Sequence, residues 1–411
     1  MGPLGCLVEL LSSSISGRAA PADGYALLRA LLTALGPERD FAGDPEQIVR
    51  EIDLADPSPW QQLVGEADYH GVTLLMAPMV TALAKMKPGA ISADAMRVFH
   101  ALASRHRQQA MIRESAIDRL LEAFAAAGIE VILLKGGVLA HRIYPAPELR
   151  PMIDIDVLID PVQAIPAVRV ASELGYKFAP RHPSKFAGRE HHIPAGETVQ
   201  SGFRIFLELH TDAMHLDQPR RLAIADLASP PQPFRRGAGP PGLALGHTDM
   251  LRHLAGHAFD PAHRVRLIHL YDLWRYQAIF RAAIDWQEIE TRFPDVMVVL
   301  RLVSQMFAAD GSSAPCPAGL GFAMMPLAVI AASDMGLPAK LAAVFDPPAW
   351  WLHGFYGVPP EKSLLMCRTV RHPAMVVRWL LARAAGYAGV GGDWNWIESF
   401  TSRPAASGED S

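Results

Sequence analysis

The segment Met152-Ile153-Asp154-Ile155-Asp156-Val157-Leu158-Ile159 sets acidic residues into an otherwise apolar run, two residues apart. Its period of two predicts a short strand, in which residues i and i+2 point to the same face. Asp154 and Asp156 then project side by side, while Ile153, Ile155 and Val157 turn to a core. Two carboxylates held that close repel each other unless a cation lies between them. A hard divalent ion with oxygen ligands fits that place. Such an ion suits phosphoryl or nucleotidyl transfer, where it bridges phosphate oxygens and offsets developing charge. An isolated Asp-x-Asp is more often a solvated loop or a helix cap, so the surrounding sequence has to decide.

Upstream, Gly128-Ile129-Glu130-Val131-Ile132-Leu133-Leu134-Lys135-Gly136-Gly137 reads as a buried strand running into a glycine turn, and 138–144 has helical character. Glycines at a strand-to-helix turn let phosphate approach the backbone N–H groups of the helix N-terminus. The plainer role is a turn that needs glycine for its backbone angles. Lys135 ends the apolar run, where its ammonium can contact phosphate or reach the surface. Downstream, Phe203-Arg204-Ile205-Phe206-Leu207-Glu208-Leu209-His210 alternates as a strand, with Glu208 on the face of Phe206 and His210. A glutamate on an apolar face is costly unless it is paired or bound to a cation. The other reading is an edge-strand glutamate facing water.

A glycine turn, paired aspartates and a later strand carboxylate, in that order, resemble the nucleotidyltransferase superfamily with the DNA polymerase beta-like core. The closer resemblance is to the bacterial family of uncharacterised nucleotidyltransferases. It is carried by Leu134-Lys135-Gly136, Tyr144, Arg150, Asp154-Ile155-Asp156, Leu174-Gly175-Tyr176 and Glu208-Leu209-His210, then by His253, His257, Arg266-Leu267 and Asp272. It covers roughly 115–277, and its one departure is Gly137 where the superfamily often has serine. The resemblance implies transfer of a nucleoside monophosphate from an NTP, ATP among them, to an acceptor hydroxyl or phosphate of a small molecule, peptide or protein. It implies two Mg²⁺ ions held by Asp154, Asp156 and Glu208, with Glu208 completing the ion that activates the acceptor. Lys135, Gly136, Gly137, Arg150, Arg266 and Asp272 are then the nucleotide-binding set. The alternative is a non-catalytic descendant that binds nucleotide or a protein partner, against which the intact Asp154, Asp156 and Glu208 argue. A kinase reading is weaker, because the chain has no Gly-x-x-x-x-Gly-Lys-Ser/Thr loop.

The 411 residues, 50% hydrophobic, suffice for two or more units with cores of their own. A net charge of −4 gives no basic stripe for nucleic acid, and Arg220-Arg221 and Arg235-Arg236 are too short to make one. Cys6, Cys316 and Cys367 are odd in number and far apart, which fits a reducing compartment and no metal-ligand spacing. Residues 1–14 are apolar without a basic lead, so no targeting segment is read there. Residues 311–333 carry no charge, but prolines and glycines interrupt them. The strongly apolar stretch 320–332 is too short for ~30 Å of hydrocarbon. A cytoplasmic protein with no integral membrane segment is expected.

The expected fold class is α/β (α+β): a small mixed sheet with flanking helices, between helical N- and C-terminal regions. The expected domains are an N-terminal helical region (1–113) and a nucleotidyltransferase core (114–230). A helical region that the resemblance places over the nucleotide pocket (242–310) and a C-terminal extension (311–411) follow. Helices are read at 25–35, 60–64, 72–84, 96–113, 117–127, 249–281, 296–307 and 373–385, and Pro161 opens another that ends at Gly175. Residues 181–200 read as irregular, the five prolines of 230–241 as a linker, and Trp350-Trp351 as part of a loop. His253 and His257 share a helix face at i and i+4, but without the glutamate of His-Glu-x-x-His they suit packing or substrate positioning better than zinc. His191-His192 fit a pocket-side or a solvated position equally. Asp272 and Arg275 have the spacing of a surface salt bridge.

Overall fold

Segments with an apolar helical stripe flank the aspartate strand on both sides, and in the computed structural model they are helices. The structure describes residues 23–38, 43–52, 58–178, 192–214, 221–259, 265–307, 336, 338 and 344–387. The expectations for residues 1–14, most of 181–200 including His191, Arg220, Cys6, Cys316 and the uncharged run 311–333 lie outside the described residues.

In chain order the elements begin with α1 (Gly24–Leu35), α2 (Pro45–Glu51), α3 (Ser58–Tyr69), α4 (Thr73–Met86) and the 34-residue α5 (Ala93–Ala126). Next come β1 (Ile132–Leu133), α6 (Lys135–Arg142), β2 (Asp154–Leu158), α7 (Ala164–Glu173), β3 (Lys177–Phe178), β4 (Gly196–Gln200), β5 (Phe203–His210), β6 (Gln232–Arg235) and β7 (Pro241–Ala244). The last are α8 (His247–Ala258), α9 (Leu267–Ile279), α10 (Trp286–Arg292), α11 (Pro294–Met306), α12 (Ala349–Tyr356) and α13 (His372–Tyr387). The architecture among the described residues is thus mixed α/β: thirteen helices and a seven-stranded mixed sheet, with helical regions at both ends. None of these helices is long and apolar enough to cross a membrane.

The chain forms two compact units. One is drawn from residues 1–108, 143–151 and 258–365, the other from 109–142, 152–257 and 366–411. The first unit is helical. The Asp23 side chain accepts from the Ala26 N–H and caps α1. Leu27, Leu28, Leu31 and Leu32 of α1 are fully buried, each worth about 1.5–3 kcal/mol of apolar transfer. Trp350 and Trp351 lie in α12, which starts directly after Pro348, rather than in a loop. Proline is well placed at a helix start, and both indoles are buried.

The second unit holds the whole sheet, in the order β3-β4-β5-β2-β1-β7-β6. β2 runs parallel to β5 and β1 parallel to β7, and every other pair is antiparallel. Ile155 and Val157 are buried as the alternation predicts, whereas Ile153 precedes the strand and is 53% exposed. The end of the segment read as irregular is strand β4. It joins β5 through Ser201-Gly202, both at positive φ (49° and 81°), the two-residue turn whose twist matches a hairpin. The proline-rich stretch is not a linker but the β6–β7 hairpin. Pro233 sits opposite Leu243 on the outermost strand, where a missing N–H is tolerated. Arg236, just past β6, is buried and pairs with Glu114 (2.9 Å) and Asp118 of α5, so the Arg235-Arg236 cluster ties the sheet to that helix. The two stretches read at 96–113 and 117–127 are one helix, because nothing between them breaks it.

Candidate metal and nucleotide site

Parallel pairing of β2 with β5 sets Asp154 against Phe206, Asp156 against Glu208 and Leu158 against His210. Paired residues of neighbouring strands share a face, so Asp154, Asp156, Glu208 and His210 converge on one side of the sheet. His210 Nε2 lies 2.8 Å from Asp156 Oδ1 and 3.4 Å from Glu208 Oε2. The His192 ring packs edge-on against His210 at 5.3 Å between centroids and fixes its plane. Asp156 and His210 are 3% and 1% exposed at the side chain and Glu208 18%, so the cluster opens to solvent on the Glu208 side.

The turn after β1 delivers a cation to the same place. The Leu134 N–H donates to the Asp156 carbonyl at 3.1 Å, which docks the turn on β2. Lys135 follows at φ +40°, a left-handed conformation unfavourable for a side chain, and its Nζ donates to Asp156 Oδ1 at 2.8 Å. Helix α6 begins at Lys135, so Gly136 and Gly137 form its first turn instead of a loop before it. Their N–H groups are among those a helix leaves unbonded at its start. A Cβ on Gly137 would meet Leu133 at 3.4 Å, which gives this glycine a packing role as well.

Electrostatics divide the carboxylates. Burial raises the Asp154 carboxyl, and Asp156 and Glu208 push it further, so it lies well above the ordinary range. Burial also works against the Asp156 charge, but Lys135 and His210 outweigh it and hold that carboxyl far below the ordinary range. Burial also raises the Glu208 carboxyl, but the hydrogen bond from His210 together with the charges of His192 and His210 outweighs it, and the net shift is downward. Burial disfavours the Lys135 and His210 cations, yet the surrounding carboxylates raise both.

Among the described residues, one group of carboxylate and imidazole side chains is tight enough to hold an ion: Asp156, Glu208 and His210 each offer a ligand atom within 4.8 Å of the others. Two carboxylate oxygens and an imidazole nitrogen are a donor set that fits a divalent cation, and Lys135 already sets an ammonium against Asp156. In the sequence His210 is read as the histidine of Glu208-Leu209-His210 and a same-face neighbour of Glu208, not as a candidate ligand. The signal for it is its i+2 spacing from Glu208, which puts both on one face.

His253 of α8 is buried; its Nδ1–H donates to the Ala213 carbonyl at 2.7 Å and its ring stacks on His257 at 6.3 Å. Burial, then the charges of Lys135 and His210, push its pKa down to about 3, so the ring is neutral. Arg150 and Asp272, in the helical unit, are engaged with each other. Arg150 Nε donates to Asp272 Oδ2 at 2.8 Å and Tyr144 Oη to Oδ1 at 2.7 Å, all three buried. Arg275 is not the surface partner of Asp272 that its spacing suggests. It is fully buried, donates to the Ile143 carbonyl and lies over the Tyr144 ring at 5.1 Å. Arg266 precedes α9, where its charge adds to burial in lowering the pKa of His70.

A family model described as uncharacterised nucleotidyltransferase matches residues 56–302, well over half of the chain. The chain belongs to this family. The family match spans every residue of the cluster, from Lys135 to His210. No curated protein and no solved structure matches the chain.

Proposed function

We propose that this family member is a metal-dependent nucleotidyltransferase that moves a nucleoside monophosphate from an NTP to an acceptor hydroxyl or phosphate. The observation that carries the reading is the β2–β5 register, which sets Asp156 beside Glu208 with Asp154 on the same face. Carboxylates crowded on a buried face, with Lys135 and His210 already drawn in, are arranged for positive charge. A bound divalent ion supplies charge stabilisation on phosphate oxygens and lowers the pKa of an attacking hydroxyl. Asp154 and Asp156 would carry the nucleotide's Mg²⁺, and Glu208 would serve a second ion on the acceptor side. Lys135 would shift its ammonium from Asp156 to the phosphates, while the N–H groups of Gly136 and Gly137 would donate to phosphate oxygens at the start of α6. Arg150, Arg266 and Asp272 enter as nucleotide-binding residues on the family resemblance alone.

The test incubates the full chain with each NTP labelled at the α-phosphate, divalent metal and a panel of hydroxyl and phosphate acceptors, with mass spectrometry of the products. Label should move to an acceptor, and Asp156→Asn should stop it. No transfer, together with NTP binding that Asp156→Asn leaves unchanged, would favour the non-catalytic binding protein.

A further inference from the structure

The ligand set around Asp156 contains a nitrogen donor that an all-oxygen magnesium site does not need. We infer that the ion held by Asp156, Glu208 and His210 is a first-row transition dication such as Mn²⁺, bound in preference to Mg²⁺ through His210 Nε2. This rests on the metal-dependent reading above and assigns the chemistry of its acceptor-side ion.

Three observations carry it. The His210 ring is turned so that one nitrogen, Nε2, faces both carboxylates, at 2.8 Å from Asp156 Oδ1 and 3.4 Å from Glu208 Oε2, and an ion bound there takes the place of the Nε2 proton, which is released to solvent. The ligand atoms of these three residues lie within 4.8 Å of one another, so a single ion can touch all of them. The ring is 1% exposed and wedged against His192 at 5.3 Å, so it has little freedom to leave the cluster. Mg²⁺ gives up water reluctantly and takes carboxylate and phosphate oxygens in near-ideal octahedra. Imidazole suits the later first-row ions, and Mn²⁺ accepts carboxylates as well. Two carboxylates and one imidazole on a face that excludes most water are therefore matched to a softer ion than Mg²⁺. Asp154 stands apart from this triangle, two residues along β2 and half-buried, and remains for the nucleotide's own metal, which it would share with the second oxygen of Asp156.

The experiment adds Mn²⁺ alone to the metal-stripped full chain and records pulsed electron paramagnetic resonance. Mg²⁺ competition is measured from the free Mn²⁺ signal. The expected result is a single tight Mn²⁺ with nitrogen coupling from one imidazole, displaced by Mg²⁺ only at more than about tenfold excess. In His210→Asp the coupling should vanish and the preference for Mn²⁺ should fall by about tenfold or more. The variant's melting curve in chelator shows whether it is folded, and the wild-type spectrum decides the matter even if it is not. Mn²⁺ bound without nitrogen coupling, or Mg²⁺ competing at parity, overturns this inference and leaves the proposed function standing. Failure of both ions to bind overturns the two together.

Discussion

Asp156 is gripped from two directions, by Lys135 Nζ and by His210 Nε2, each at 2.8 Å. Taking one partner from a buried ion pair leaves a charge uncompensated, at about 3–5 kcal/mol. Lys135→Met should therefore lower the unfolding free energy by that order in chelator, and a bound divalent ion should restore much of it. Lys135 also sits at φ +40°, which costs a residue with a side chain about 1 kcal/mol. Lys135→Gly should thus be about 1 kcal/mol more stable than Lys135→Met, and equal denaturation midpoints for the two would refute the strain. Among Asp156, Glu208 and His210, Glu208 is the most exposed, at 18%. Glu208→Gln should leave NTP affinity near wild type while turnover falls by orders of magnitude, the pattern of a contact made chiefly in the transition state. Parallel losses of affinity and melting temperature would instead mark Glu208 as structural.

Strands with period-two alternation are legible in the sequence, and of those without it only the apolar run of 128–134 is, as the two-residue β1 (Ile132–Leu133). The Phe203–His210 strand is legible with its bounds intact, and the aspartate strand loses only its ends. β3, β6 and β7 escape notice because two to four residues cannot show a period, and because proline at an edge looks like a linker. β4 is hidden in a polar stretch, although its Ser201-Gly202 turn carries a hairpin signal. A Cβ added at Gly202 would meet only open space, so the cost of a side chain there is backbone conformation alone. Gly202→Ala should destabilise by about 1 kcal/mol in chemical denaturation, and Ser201→Asn should be neutral or mildly stabilising. Spacing reveals which residues share a face, but not which strands are neighbours. His210 enters the cluster through the β2–β5 pairing, and sequence distance gives no hint of that. The Arg150–Asp272 pair is hidden for the same reason, since a buried partner 122 residues away leaves no local trace.

At the scale of the molecule, each unit buries a histidine in its neutral form. Burial, then Arg266, lowers His70 from 6.5 to about 4, and its Nδ1 accepts the Leu267 N–H at 3.2 Å. His253 is lowered to about 3. In the unfolded chain both take up protons below their ordinary pKa, so the unfolded state binds more protons than the folded one in that range. Stability should be full above pH 6.5 and fall as the pH drops toward about 4 for His70 and about 3 for His253. The contribution of each reaches at most about 1.4 kcal/mol per pH unit. His70→Asn and His253→Gln should each flatten the acid limb of a stability–pH curve by close to one proton, and an unchanged slope would mean that these rings are protonated in the folded protein. The pairing that builds the proposed ion site also acts in time rather than space. Asp156 and His210 lie 54 residues apart, and β1 must also receive β7 from far along the chain. During synthesis from the N-terminus, Asp154 and Asp156 emerge well before β5 can supply Glu208 and His210. Contacts of such long sequence separation form late and slowly. A nascent or truncated chain ending before His210 lacks the complete proposed ligand triangle, so capture of an ion by all three residues would report that the sheet has closed in the native order.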